Sequence, residues 1–556
     1  MKATHILALC ALVGCGVRES NTNPGRTDGG ATDMALPVTC ESATDSDSDG
    51  LYDALEGSAD NDGDGLPNDH DQDSDGDGLL DAAESGGLGG CMARNSDDDG
   101  IADYLDNDSD NDALSDREEH ERYHTSPTDA DTDHDSFTDG AEVATGHDPL
   151  SETDGIPPED FYVVLPYMGS AQERDLSFAT NIRQADVFFM MDRTGSMSGA
   201  ASELRDGLST LIPRLATAIP DIGVGFGGFA DFPAGHCTML VGVLTCDYGA
   251  GEDLPFTLMS TITTDRTQML EDVNLMRADM GGVRWASSGE ALYQAATGAG
   301  IGPWVAPQRC VAAPDDTGPR IGYPCFRPGS LPIIVVMTDT SARNGPFVLA
   351  TDAYDPTQFG GAPPHSYEDT LSALQGIGAR VFGVVNGEEV DDPTPTQQFM
   401  EWARATGTVD ASDAPIFFRI PADGSDLTDR VGDAIESLVS ETPQDVSTRV
   451  RDGEDFPTDI APVDAATFIK MVTPTIARRG TVELDEVEIP RDDTTFYGVV
   501  PGIEVSFHIS FLNDTVPSIN TSQIFRATLL VVGNGVAELD AREVVILVPA
   551  GSVPLF

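Results

Sequence analysis

The chain has 556 residues, with 95 Asp plus Glu against 30 Lys plus Arg and a formal net charge of −65 at pH 7. A protein that neutralises phosphates needs a basic patch, and with Lys2 and Lys470 as the sole lysines, nucleic acid is excluded as a partner. The length suits roughly two to four domains of about 100–200 residues each, and 40% hydrophobic content is enough for a core.

The N-terminus reads Met1, Lys2, an apolar run from Ile6 to Val13, then Gly14 and Cys15, which is the order of an export signal over residues 1–15. Leu12-Val13-Gly14-Cys15 resembles the bacterial lipobox, which implies that Cys15 is lipidated. Gly16 stands where many such lipoproteins carry the Asp that retains them at the inner membrane, which implies the outer membrane or cell surface. Two or more acyl chains anchor stably. No later run is long enough to span a bilayer, so the lipid is the expected membrane contact. Residues 16–40 read as a disordered tether. Export means an oxidising compartment. Closeness in sequence favours pairing Cys237 with Cys246 and Cys310 with Cys325, leaving Cys40 and Cys91 to close the acidic segment.

That segment, residues 41–156, holds most of the charge: residues 41–160 contain 39 acidic residues against three arginines, a local net of −36. A twelve-residue frame recurs in it, with Asp at positions 1, 3 and 5, a turn residue at 6, an apolar residue at 7 and acids or amides at 9 and 12. The first frame is Asp45, Asp47, Asp49, Gly50, Leu51, Asp53, Glu56, and the second runs through Asp60, Asp62, Asp64 and Asp71. The third is Asp73, Asp75, Asp77, Gly78, Asp81, Glu84, and the fourth is Asn95, Asp97, Asp99, Asp103, Asp106. The fifth (Asp108, Asp110, Asp112, Asp116, Glu119) and sixth (Asp131, Asp133, Asp135, Asp139, Glu142) have Ala113 and Ser136 at the turn, which predicts weaker or altered sites. Alternating carboxylates on a flexible loop supply the hard oxygens that Ca²⁺ takes. The later starts alternate in short and long intervals and resemble thrombospondin type 3 repeats, which implies a calcium-stiffened stalk.

From about residue 184 to 441, apolar runs alternate with amphipathic stretches, the pattern of a doubly wound α/β (Rossmann-like) sheet. Strands are expected at 186–191, 222–229, 333–338, 380–385 and 416–420, and helices at 200–218, 266–278, 289–298, 367–377, 395–405 and 426–440. Ligands bind beyond the carboxyl ends of such strands. There stand Asp192-Arg193-Thr194-Gly195-Ser196 and Thr338-Asp339-Thr340, which resemble the metal-ion-dependent adhesion site of von Willebrand factor A domains. The resemblance implies Mg²⁺ or another divalent cation held by Asp192, Thr194, Ser196 and Asp339 and completed by an acidic ligand. Ile222 to Asp231 and Ser287 to Gln294 are similar to the integrin β version of this domain. The further loop ligand aligns with Ala286, where Ser287 or Ser288 could substitute. Gly199 and Ala200 replace an acidic pair, which implies that the adjacent regulatory metal site is missing. Asp231 remains from a third site and reads as a polar strand-end residue.

Residues 445–556 read as an all-β sandwich, and 157–183 as a β flank. Both could form one module with the A domain inserted, as the integrin hybrid domain does. His508 reads as a packing residue. No GxSxG elbow or Walker loop is present, and a hydrolase is disfavoured. The expected protein is a non-enzymatic, lipid-anchored envelope protein with Ca²⁺ in its stalk, capturing a protein or acidic extracellular ligand in adhesion or surface assembly. The alternative is a calcium-stiffened spacer with a degenerate A domain.

Overall fold

The computed structural model describes residues 36–37 and 42–551, apart from 237, 241–242, 246, 250, 280–284, 315, 390, 392, 411 and 457–461, with backbone alone at 36–37, 238–240 and 243–245. The expectations on Cys15, Cys40, Cys237, Cys246 and the tether up to residue 35 lie outside the described residues, whereas Leu36–Pro37, expected within a disordered tether, form a short strand. Two compact units divide between Thr132 and Asp133, so the end of the acidic segment belongs to the second unit.

In the first unit, β1 (Leu36–Pro37) pairs antiparallel with β2 (Met92–Ala93), and Cys91 is disulfide-bonded. Three short helices, α1 (Asp53–Glu56), α2 (Asp81–Glu84) and α3 (Asp116–Glu118), close the first, third and fifth frames. The apolar core is small: Leu51, Ala93, Ala102 and Tyr104 cluster, with Leu55 and Leu105 against them. Carboxylates occupy much of the remaining interior, among them Asp75, Asp77, Asp81, Glu84, Asp108, Asp116 and Glu119.

The second unit opens with α4 (Asp139–Thr145), β3 (Phe161–Val164) and β4 (Gln172–Phe178). The α/β region follows: β5 (Gln184–Asp192), α5 (Ser198–Ala218), β6 (Asp221–Phe229), the hairpin β7 (Thr238–Leu240) and β8 (Val243–Thr245), then β9 (Thr257–Thr263), α6 (Arg266–Asp272) and α7 (Ser288–Thr297). It continues through β10 (Leu331–Thr338), α8 (Tyr367–Gly376), β11 (Arg380–Asn386), α9 (Pro395–Ala405), β12 (Phe418–Ile420) and α10 (Leu427–Glu441). The sheet order is β12-β11-β10-β5-β6-β9, with β9 antiparallel to β6 and the other pairings parallel.

Alternation along β5 makes this a two-faced sheet. Val187, Phe189 and Met191 share a core with α5 and α10, whereas Phe188 and Met190 pack with α7, α8 and α9. The chemistry of each helix explains its bounds. Along α5, Leu204, Leu208, Leu211, Ile212 and Leu215 repeat at helical spacing and are buried. Pro395 opens α9 behind a Thr394–Gln397 capping box. The glycines of β6 let neighbours lie flush, since a Cβ on Gly227 would stand 2.5 Å from the Phe188 ring. Cys310 and Cys325 form a disulfide.

Beyond α10 come β13 (Gln444–Asp452), β14 (Ile469–Arg479), β15 (Val482–Leu484), β16 (Thr495–Val499), β17 (Glu504–Phe511), β18 (Gln523–Gly533) and β19 (Ala537–Val548). They form two sheets, β16-β13-β18-β19-β3 and β15-β14-β17-β4. The strands before the α/β region therefore complete both sheets, β3 lying parallel to β19 and β4 antiparallel to β17. Phe496 of one sheet meets Phe507 of the other edge-on, with ring centroids 5.4 Å apart. The described residues of the 157–183 flank and of the 445–556 segment are thus parts of one two-sheet module into which the α/β region is inserted.

Candidate functional site

Each acidic frame is built by its own backbone. The Asp at positions 3 and 5 accepts, through Oδ1, a backbone N–H two residues on: Asp49 to Asp47 at 3.3 Å, Leu51 to Asp49 at 2.8 Å, Leu79 to Asp77 at 2.6 Å, Ile101 to Asp99 at 2.7 Å. The second oxygen is thereby aimed inward. Position 6 has φ near +100° in Gly50, Gly65, Gly78 and Gly100, and Ala113 and Ser136 hold the same left-handed conformation at φ 85°. The fifth and sixth turns thus share the backbone conformation of the glycine turns, and a side chain there bears strain of about 1 kcal/mol. Position 4 is left-handed in every frame as well (Ser48, Gly63, Gly76, Asp98, Asn111, His134), which the sequence pattern did not reveal.

Position 9 clamps position 2. Ser46 donates its N–H and hydroxyl to the two oxygens of Asp53, each at 2.8 Å. The same clamp joins Ser74 to Asp81, Ser96 to Asp103 and Ser109 to Asp116. Positions 3, 5 and 12 are different. Buried oxygens of Asp47, Asp49, Asp75, Asp77, Asp97 and Asp133, and both oxygens of Glu56 and Glu84, have no hydrogen-bond partner. Burial, then repulsion from Asp49 and Asp47, pushes the Glu56 carboxyl up to about 8. Glu84 and Glu119 are driven up by burial and neighbouring carboxylates in the same way. Anionic oxygens buried without donors are what a hard divalent cation satisfies, so these residues fit Ca²⁺.

In the α/β region the predicted residues meet at the carboxyl ends of β5 and β10. Asp192 is fully buried; its Oδ1 accepts from the Thr194 N–H and its Oδ2 from the Thr338 hydroxyl, each at 2.8 Å. Thr194 Oγ1 and Ser196 Oγ are 3.1 Å apart. Burial, with Asp339 adding repulsion, pushes Asp192 up to about 6. Asp339 Oδ1, Thr340 Oγ1 and Asn386 Oδ1 are buried without a hydrogen-bond partner. Thr338 and Thr340 stand in the quoted motif but were not counted among its ligands, and Asn386 was missed, although it ends β11, where the sheet rule directs attention. Two close carboxylates with hydroxyls and unpartnered oxygens around them fit a divalent cation.

The surrounding loop holds Ser287, Ser288 and Ala286 in place by other contacts. Ser287 donates its hydroxyl to the Ala230 and Pro255 carbonyls at 3.0 and 2.8 Å. Ser288, the first residue of α7, is buried and joined by no hydrogen bond to Asp192, Thr194, Ser196 or Asp339. Ala286 is tied through its backbone to Ser341 and Arg343. A Cβ on Gly199 would stand 2.5 Å from the Asp423 backbone, so that position has no room for an acid. Asp231 is fully buried and accepts from the Tyr354 hydroxyl and from Arg343, whose guanidinium lies 5.2 Å from the Tyr248 ring centroid. An organic cation already balances it.

No family model and no curated protein matches the chain. Among solved structures it is similar to a von Willebrand factor type A protein from Catenulispora acidiphila, at 13% identity and TM-score 0.28, over 69% of this chain and 71% of that one. It is also similar to the pilus adhesin SpaC from Lactobacillus rhamnosus GG in its open conformation, at 12% identity and TM-score 0.28, over 70% of this chain. The match spans 46% of that adhesin. Among the described residues, no helix is long and apolar enough to cross a membrane.

Proposed function

We propose that this is an exported, lipid-anchored surface protein with two kinds of metal centre: calcium ions that stiffen the acidic repeats, and an adhesion-type site that captures a protein or acidic ligand. Binding is the activity, in adhesion or surface assembly. The observation that carries the second centre is the buried Asp339 Oδ1 without a donor, next to Asp192. A divalent cation bound there would offer an open coordination position to an incoming carboxylate. The chain's own part is to hold Asp192 by Thr194 and Thr338, pair the Thr194 and Ser196 hydroxyls, and keep water from the strand ends. The two-sheet module, read as a sandwich, carries the inserted A domain.

The test is capture of envelope proteins from the parent cells by the full chain, with Mg²⁺ and with chelator, compared with Asp192→Ala. Mg²⁺-dependent capture lost in the variant, with unchanged circular dichroism, supports the proposal. Equal capture by both proteins would favour the spacer reading, whose supporting observation is the hydroxyl-free Ala286 in the ligand loop.

A further inference from the structure

Glu56 and Glu84 have relative exposures of 5% and 6%, and neither oxygen of either has a hydrogen-bond partner. Each closes its own frame, yet each stands among carboxylates from two frames. One oxygen from each of Asp49, Glu56 and Asp81 lies within 4.8 Å of the others, and the same holds for Asp77, Glu84 and Asp116. The two clusters have one design: positions 5 and 12 of an odd-numbered frame, with position 9 of the next odd-numbered frame. Oxygens on one Ca²⁺ stand about 2.3–2.6 Å from it, so two of them are at most roughly 5 Å apart. The clusters meet that bound. An Asp81 oxygen that accepts from Ser74 keeps a second lone pair for a metal.

We propose that the odd-numbered frames are wired in series, Asp81 lending an oxygen to the ion of the first frame and Asp116 to that of the third. The inference rests on the calcium reading above. Position 9 then has two duties: it clamps the Ser of its own loop and completes the preceding odd site. Ordering the third loop sets the Ser74–Asp81 clamp and so presents Asp81 to the first site, and linkage makes the effect reciprocal. The odd sites therefore fill cooperatively. The second frame, whose Asp60, Asp62 and Asp64 are exposed, stands outside this series.

The two duties can be separated by asparagine. In the second frame an Asn already clamps, Asn68 Oδ1 accepting from the Asn61 N–H at 3.1 Å, so Asp81→Asn keeps the clamp while removing a charged ligand. Asp53→Asn is the control, because no odd frame precedes the first. Calcium titration of the full chain against a chromophoric chelator should leave the Hill slope of Asp53→Asn at the wild-type value, since that variant disturbs one loop and no link between sites. For Asp81→Asn and Asp116→Asn it should show one ion weakened on the order of tenfold and a lower Hill slope. If Asp81→Asn titrates like Asp53→Asn, the series wiring is wrong and the calcium reading stands. A wild type that binds no calcium overturns both.

Discussion

Ala113 does at φ 85° what glycine does in four sister loops. An L-residue pays about 1 kcal/mol for that conformation, so Ala113→Gly should raise the stability of the calcium-loaded first unit by about that amount. Gly50→Ala should lower it similarly, because a Cβ at Gly50 meets nothing within 4 Å and backbone strain is the whole effect. Urea unfolding in excess calcium measures both. At the other centre, Thr338→Val keeps shape and removes the donor to Asp192 Oδ2. Leaving that buried oxygen unsatisfied costs about 1–3 kcal/mol, visible in the melting temperature of the magnesium-free protein, and excess Mg²⁺ should recover part of the loss.

Among elements, β4 and β17 are joined by more than backbone: His508 contacts Asp175 at 2.8 Å and Glu173 at 3.0 Å. The hydrogen bond to Asp175 leads in raising the His508 pKa. A raised histidine stabilises the fold fully below its unfolded value of about 6.5 and loses that contribution as pH rises through the folded value. These side chains are partly exposed, so the effect is under about 1 kcal/mol. His508→Gln should flatten the stability profile between pH 6 and 8 by that amount (~1 kcal/mol or less), followed by thermal melts. The sequence announced these elements unevenly. The buried parallel strands were legible because their apolar runs are continuous. β9 was not, since an edge strand with a half-buried, bulged pairing to β6 has no clean alternation. The expected helix at 266–278 ends at Asp272 and gives way to a 3-10 turn, Val273–Leu275. In the acidic frames positions 3, 5 and 12 were readable from spacing alone. The clamp was missed although Ser46, Ser74, Ser96 and Ser109 mark it seven residues before their aspartates.

For the whole molecule, the charge of −65 has two physical meanings. Most of the second unit carries it as a solvated surface over ordinary apolar cores. The first unit buries much of it, around an apolar cluster of four residues, where carboxylate repulsion opposes folding unless cations offset it. Limited proteolysis of the full chain, with millimolar calcium or with chelator, followed by mass spectrometry of the fragments, tests this central claim most directly. The account predicts that 42–132 resists cleavage in calcium and is cut throughout in chelator, while Asp133–Ala550 persists as a core in both. The same cleavage pattern in the two conditions would contradict it.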